Sequence, residues 1–363
     1  MPCFRVLTRH LRIQCTLMAD PLNTISQRKA FIGVSDELHS YLHHYARLSP
    51  LPALYRDLRD FSNAYPLHDK NGQATLWETV VYDTVAQREL WPKLTSIYSL
   101  LKTGDLQAVP HLYVERVDFC QFGNSKPFRI RVVNEYNDNY DHFYLKVADA
   151  SRIYGLEMEH VLSPNRISYL VHEDTLIEEH IAGVPGDVFI VDYFKRPDLN
   201  RVRIAKEFVK FSERCFIRLL GDMRSYNYVV DMTPDFEEVQ YRVRAIDFDQ
   251  QSWEGRANIY RPQFYKENLP VVKLVMKLLN EETVQQYQDE ERTLFARRFL
   301  AEKARLRALF RCMKHNPAEP ADKVAQLKAE LGALHETSVF DDSASMGDIV
   351  ERHIEFMLGR HLT

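Results

Sequence analysis

The chain has 363 residues, 45% of them hydrophobic and 27% charged, so it is long enough for two or three globular domains and is neither disordered nor fibrous. Its formal net charge of −4 argues against nucleic acid as a partner, and no window approaches the roughly 18 apolar residues of a membrane-spanning helix. Five scattered cysteines without a C-x-x-C pair predict a reducing, cytoplasmic environment without structural zinc.

Residues 1–30 are predicted to form a flexible N-terminal extension. The first 17 residues are basic and lack acids, which also fits a targeting peptide. Arg5, Arg9 and Arg12 interrupt the apolar run that such a peptide requires, so the extension is the preferred interpretation.

Residues 31–108 are predicted to form a helical region, for which the sequence indicates no function. One helix begins just after Ser35. Thr75 and Glu78 have the spacing of a capping box, in which two side chains close the N-terminus of a further helix. The last helix of the region is expected to end near Gly104.

Residues 109–182 change to the alternating apolar pattern of β-strands and predict a five-stranded sheet. The predicted strands cover residues 111–119, 128–133, 142–147, 166–172 and 175–180. Residues 151–162, between the third and fourth strands, have the apolar spacing of a short helix.

Lys146 and Glu157 are charged residues that the pattern places on buried surfaces. Lys146 has apolar neighbours within its strand, although a lysine there is also typical of a solvated edge. Glu157 falls within the apolar arc of its helix, where an acid requires a cation. We therefore predict an ion pair between them; a solvated acid on an exposed helix face is the alternative.

Residues 219–250 contain the most informative pattern. An amphipathic helix over residues 200–220 leads to Asp222, Asn227 follows, and two short strands then end at Asp247. One carboxylate can orient a hydroxyl, while the amide and the second carboxylate hold a metal on a polyphosphate, as phosphoryl transfer requires. Asp and Asn are also common in turns, and that alternative stays open for either motif alone.

The segments GDMRSYN and IDFD resemble the catalytic region of the protein-kinase-like superfamily, in which D-x-x-x-x-N is followed across a hairpin by an Asp-Phe-Gly turn. Their style is closest to that of aminoglycoside phosphotransferases and other small-molecule kinases, and the resemblance covers roughly residues 110–280. Leu220 replaces the family's histidine and Asp249 the glycine of the second motif, and the loop at residues 120–127 has one glycine, Gly123.

The resemblance implies an α+β, bilobal kinase-like fold with an all-helical N-terminal extension. The N-lobe would be the five-stranded sheet of residues 109–182, and the helical C-lobe would cover residues 183–363, including the catalytic loop and a C-terminal helical extension. The cofactors implied are ATP or GTP and Mg²⁺.

The resemblance also assigns roles to the residues of the two motifs. Asp222 would orient the acceptor hydroxyl, and Arg224 would contact the transferred phosphate. Asn227 and Asp247 would hold Mg²⁺, with Asp249 as a second possible metal ligand.

The nucleotide would be bound mainly by residues upstream of these motifs. The resemblance implies that Lys146 and Glu157 place the α- and β-phosphates. It also implies that the backbone from Glu179 to Ile181 receives the base, as the hinge between lobes does; a strand followed by an ordinary Gly-Pro turn is the alternative.

Beyond residue 250 the pattern is mostly helical. Trp253, Tyr260 and Tyr265 stand where phosphotransferases build the acceptor pocket, so we expect a small-molecule acceptor rather than a protein. A run of arginines between residues 292 and 311 predicts a solvated helix face, or else a site for an acidic substrate or partner. The C-terminal helices also offer a possible homo-oligomer interface.

Two other functions compete with a phosphotransferase. A pseudokinase, which works as an interaction platform without turnover, is favoured by Leu220 and the glycine-poor loop and opposed by Lys146, Asp222 and Asp247. A metal-dependent hydrolase is disfavoured because no histidine-rich ligand set accompanies the acids.

Overall fold

A computed structural model describes residues 29–69, 72–107, 109–121, 125–236, 239–315 and 320–362. The chain divides into two compact units. The sheet unit comprises Lys29–Ala150 and Ile167–His180, and the helical unit contains Ser151–Arg166 and Ile181–Thr363. The flexible extension predicted for residues 1–30 lies outside the described residues, apart from its last two positions.

The sheet unit is built on one antiparallel sheet of seven strands in the order β1-β2-β3-β4-β5-β7-β6. The strands are β1 Asn63–His68, β2 Ala74–Val81, β3 Leu112–Cys120, β4 Phe128–Asn134, β5 Tyr140–Val147, β6 Tyr169–His172 and β7 Thr175–Glu179. Two helices accompany them, α1 Asp36–His44 and α2 Thr84–Thr103. The α+β class and the five strands predicted within residues 109–182 are confirmed, and the sheet gains two strands, β1 and β2, from the preceding region.

The two additional strands lie in the region that the sequence analysis described as all-helical. Thr75 and Glu78 belong to β2, which pairs with β1, so the predicted capping box is wrong. The helix begins later, where the Asp83 side chain accepts hydrogen bonds from the Val85 and Ala86 N–H groups. It ends where expected, because Gly104 adopts the left-handed conformation (φ 79°) that closes a helix.

The core of the sheet unit lies between the sheet and α2. Phe128 and Ile130 of β4 are fully buried, as are Leu94 and Ile97 of α2. Each such side chain stabilises the fold by about 1.5–3 kcal/mol relative to an exposed position. The alternating pattern of the strands and the 3.6-residue pattern of the helix therefore meet in one apolar layer.

The helical unit contains most of the helices and one small sheet. Its helices are α3 Ala150–Leu162, α4 Arg201–Ile217, α5 Leu269–Leu278, α6 Glu281–Ala301, α7 Lys303–Lys314, α8 Ala321–His335 and α9 Met346–Leu358. Its strands are β8 Val184–Pro185, β9 Tyr228–Pro234 and β10 Val239–Ala245, of which the last two form an antiparallel hairpin. Within the described parts of the chain, no helix combines the length and apolarity that crossing a membrane requires.

Helix α4 and the hairpin position the segment between them. Asn200 caps α4 by accepting a hydrogen bond from the Arg203 N–H group, and Ile204, Phe208 and Phe211 bury one face of the helix. The helix ends at Ile217, and β9 begins at Tyr228. The ten residues between these elements are consequently held at both ends by buried secondary structure.

Candidate active site

The loop between α4 and β9 has a constrained backbone. Leu219 and Asp222 have positive φ angles of 54° and 56°, which side chains other than glycine adopt uncommonly. The Gln251 Nε2 donates hydrogen bonds to the carbonyl oxygens of Arg218 (2.6 Å) and Leu219 (3.2 Å) and so supports this conformation. Backbone strain of this kind persists only where the surroundings enforce it, and it is concentrated at functional sites.

Asp222, Arg224 and Asn227 are brought together by this loop. Asp222 Oδ1 accepts a hydrogen bond from Arg224 Nε at 2.9 Å, and Asp222 Oδ2 accepts one from Asn227 Nδ2 at 3.3 Å. The same Nδ2 donates to the Asp222 carbonyl oxygen at 2.7 Å, which turns the amide oxygen of Asn227 away from Asp222. Arg224 is also held by Glu267, whose Oε1 lies 3.0 Å from its Nη1.

Burial raises the pKa of Asp222 to about 6; hydrogen bonding and charge from Arg224 oppose this shift, and the charges of Asp247 and Glu267 add to it. A carboxylate with a pKa close to neutrality is suited to accept a proton and release it again. The electrostatic influence of Asp247 on Asp222 also indicates that the two motifs predicted from sequence lie in one neighbourhood.

Asp247 and Asp249, at the end of the hairpin, both contact the guanidinium group of Arg152, a residue that was not predicted from the sequence. Arg152 Nη1 lies 3.0 Å from Asp247 Oδ1 and 2.8 Å from Asp249 Oδ1. The Asp249 N–H group donates to Asp247 Oδ1 at 3.0 Å as well. Arg152 stands in the first turn of the helix, next to the apolar residues Ile153 and Tyr154, and this basic residue on a largely buried helix was the available signal.

Helix α3 reaches these carboxylates because residue 155 is a glycine. A Cβ atom at Gly155 would stand 3.0 Å from Phe248 Cβ and 3.2 Å from the Phe248 carbonyl oxygen. The Ser151 hydroxyl donates to the carbonyl oxygens of Asp249 and Gln251, each at 3.1 Å. The helix is therefore fixed against the segment that carries the acids.

The oxygen ligands in this neighbourhood suit a hard cation. The Asn227 amide oxygen is turned away from Asp222, and the Asp247 side chain is 32% exposed. Mg²⁺ is typically bound by one or two carboxylates together with substrate phosphates, so Asn227 and Asp247 fit that ion. In the part of the chain that the structure describes, no three histidine, cysteine, aspartate or glutamate residues form a metal-binding group.

Lys146 and Glu157 each have an ionic partner that the sequence analysis did not predict. Lys146 Nζ lies 2.7 Å from Glu178 Oε2 within the sheet unit, and both side chains are buried. Glu157 Oε1 lies 2.6 Å from Arg305 Nη2 within the helical unit. Tertiary packing thus supplies each charge with a partner within its own unit, and the Lys146–Glu157 pair stays a prediction.

The backbone predicted to receive the base divides between the two units. The Glu179 N–H group donates to the Ser168 carbonyl oxygen at 3.0 Å, and its carboxylate accepts from the Ser168 N–H group at 2.9 Å. Ile181 is buried and is the first residue of the helical unit after His180. The Glu179 amide therefore has a partner within the sheet, and base binding remains a prediction.

Tyr265, one of the aromatic residues predicted to line the acceptor pocket, supports the loop. The Tyr265 hydroxyl accepts a hydrogen bond from the Asp222 N–H group at 3.1 Å and donates to the Ile259 carbonyl oxygen at 2.9 Å. The Tyr260 hydroxyl bonds to the backbone of Glu254. Both rings are buried; the Tyr265 hydroxyl positions Asp222, and the Tyr260 hydroxyl holds the segment around Glu254.

No known protein-family model matches the chain, and no curated protein matches it significantly. The function of the chain is therefore inferred from the residues described above.

Proposed function

We propose that the chain is a kinase-like phosphotransferase that transfers the γ-phosphoryl group of ATP or GTP to a hydroxyl group of a small molecule. The observation that carries this proposal is the convergence of Asp222, Asn227 and Asp247. The side-chain amide of Asn227 donates a hydrogen bond to Asp222. The backbone carbonyl oxygen of Asn227 accepts a hydrogen bond at 3.0 Å from the N–H group of Ile246, the residue before Asp247. Phosphoryl transfer depends chiefly on such positioning and on charge stabilisation.

Asp222 would act on the acceptor. With a pKa of about 6 its carboxylate is mostly ionised at pH 7 and can accept a hydrogen bond from the acceptor hydroxyl. It would take up the proton as the hydroxyl oxygen forms its bond to the γ-phosphorus and the bond to the β–γ bridging oxygen breaks. Arg224 orients Asp222, since its Nε holds Asp222 Oδ1.

Asn227 and Asp247 would hold Mg²⁺, and Asp249 is a further possible ligand. The ion, when bound, would neutralise charge on the phosphate oxygens. A neutral amide at position 247 would be a poor substitute, because Mg²⁺ prefers carboxylate and phosphate oxygens.

The proposal is tested by nucleotide binding and turnover in matched variants. ATP or GTP should raise the unfolding temperature more with Mg²⁺ than with EDTA. Asp222→Asn should keep Mg-ATP binding and reduce kcat by roughly 10²–10⁴-fold, because proton transfer contributes mainly in the transition state. Asp247→Asn should lose both properties. Asp231→Asn, a change in the same hairpin outside the site, is the control.

The substrate is sought with a panel of alcohols, sugars and aminoglycosides, with proteins as a second panel. Equal thermal shifts with and without Mg²⁺ would refute the metal assignment. If Asp222→Asn keeps wild-type turnover, Asp222 does not act on the acceptor.

A pseudokinase is the second candidate, and one observation favours it. The positive charge of Arg152 already lies between the two carboxylates predicted to bind metal. Binding of Mg-ATP without turnover on either panel would support this candidate over the enzyme. Binding with phosphorylation of a small alcohol would rule it out.

A further inference from the structure

Arg152 is a counter-ion that the fold fixes in place. Its side chain is 2% exposed, and the same nitrogen, Nη1, contacts both Asp247 and Asp249. The close approach at Gly155 and the hydrogen bonds of Ser151 hold α3 against the segment that carries these acids. Asp247 and Asp249 are therefore oriented by a positive charge that belongs to the protein.

This positive charge affects the binding of a divalent cation. Asp247 and Asp249 together carry a charge of −2, and Arg152 reduces the sum to −1. A guanidinium about 5 Å from a divalent ion weakens its binding roughly tenfold or more, even at the dielectric constant of water. A polyphosphate reverses this disadvantage, because it brings negative charge with the metal and can accept hydrogen bonds from arginine.

Building on the phosphotransferase function proposed above, we propose that Arg152 is a positioning residue that makes the site select a metal–nucleoside triphosphate complex over the free divalent cation. Arg152 orients the carboxylates of Asp247 and Asp249 and disfavours the ion that arrives alone. The metal enters together with the phosphates that compensate the guanidinium charge.

The test measures Mn²⁺ binding to the full chain without nucleotide, by calorimetry and by the electron paramagnetic resonance signal of free Mn²⁺. Arg152→Gln should bind Mn²⁺ roughly tenfold more tightly than wild type, because the repulsion is removed. Arg152→Lys keeps the charge and should bind Mn²⁺ as weakly as wild type. Arg292→Gln, which removes a comparable partner of the buried Glu213, is the control and should behave as wild type.

A second measurement covers the case in which Arg152→Gln is unstable. Without metal, Asp247 and Asp249 repel each other in this variant, so its unfolding temperature should fall and be restored by Mn²⁺. A variant that stays unfolded with Mn²⁺ makes Arg152 purely structural and overturns the inference. Equal Mn²⁺ affinities of wild type and Arg152→Gln overturn it too.

The inference and the proposed function can fail separately. If wild type phosphorylates an acceptor while Arg152→Gln binds Mn²⁺ no more tightly, only the role of Arg152 is wrong. If Arg152→Gln gains Mn²⁺ affinity while wild type binds no Mg-ATP, the proposed function fails, and with it the selection of a nucleotide complex.

Discussion

Two charged clusters within the helical unit differ in the backbone that carries them. The scaffold cluster consists of Arg214, Glu207 and Glu291, which lie on α4 and α6. Arg214 contacts Glu207 at 2.9 Å and Glu291 at 3.3 Å and is buried. The candidate site consists of Asp222, Arg224, Asn227, Asp247, Asp249 and Arg152, and most of it lies on loops.

The pKa values alone do not distinguish the candidate site from the scaffold cluster, because each contains an acid with a raised pKa. Burial raises the pKa of Glu291 in the scaffold cluster, and burial raises the pKa of Asp222 in the site. The backbone does separate them, because Asp222 has a positive φ whereas Glu291 lies within a regular helix. A perturbed acid on a strained loop is thus a better indication of function here than a perturbed acid alone.

The largest expected effect is on stability at the scaffold cluster. Arg214→Gln should lower the free energy of unfolding by about 3–5 kcal/mol, because removal of one partner leaves buried charge uncompensated. Urea unfolding measures this loss, and the Mg-ATP affinity of the folded variant should remain that of wild type. Arg201→Gln, exposed on the same helix, is the control. A stable Arg214→Gln variant with altered nucleotide affinity would show that this cluster takes part in nucleotide binding.

The buried pair in the sheet unit should behave like the scaffold cluster, with a smaller effect. Lys146→Met leaves Glu178 buried without its ammonium partner and should cost about 3 kcal/mol. The double variant Lys146→Met, Glu178→Leu should recover part of this loss, with a coupling energy of about 1–3 kcal/mol in a double-mutant cycle. Additive losses would contradict the pair. Mg-ATP binding by the double variant then reports on the phosphate role predicted for Lys146.

The pKa of Asp222 predicts a pH-dependent difference between wild type and Asp222→Asn. The folded-state pKa of about 6 exceeds the unfolded value of 3.8, so folding favours the protonated acid. Wild-type stability should therefore fall, relative to the variant, as pH rises from 4 to above 6, by about 1–3 kcal/mol. Urea unfolding of both proteins at several pH values measures this difference. A difference that does not change with pH would mean that Asp222 has no raised pKa.

The smallest effect is expected at the rim of the scaffold cluster. Lys210 pairs with Glu290 at 2.9 Å, and the Glu290 side chain is 42% exposed. Lys210→Ala should change the free energy of unfolding by less than about 1 kcal/mol, because solvent screens such pairs. A loss comparable with that of Arg214→Gln would show that exposure does not distinguish the two pairs.

The sequence predicted those parts of the site that depend on local spacing. Asp222 and Asn227 are five residues apart on one loop, and Asp247 ends a hairpin that begins directly after Asn227. Short-range geometry therefore determines their proximity. Arg152 could not be assigned in this way, since it lies 95 residues from Asp247 in sequence. A contact between residues so far apart in sequence is determined by the packing of α3 against the segment that carries Asp247.

The hairpin of β1 and β2 shows how competing local signals mislead. Thr75 and Glu78 fit a capping box, but the segment also has Thr, Trp and Val residues that favour strands. The Asn-Gly pair at residues 71–72 is typical of a hairpin turn. Pairing with β1 and β3 resolved the choice, which a single segment could not reveal.

The division of the chain has a consequence for its synthesis. Helix α3 belongs to the helical unit but is encoded between two strands of the sheet unit. Its partners follow much later, because Arg152 precedes Asp247 by 95 residues and Tyr154 precedes Cys312 by 158. At translation rates of about 5–20 residues per second, Arg152 and Tyr154 are synthesised roughly 5–30 s before these two partners. The helical unit can therefore complete its packing around α3 only after most of the chain has been synthesised.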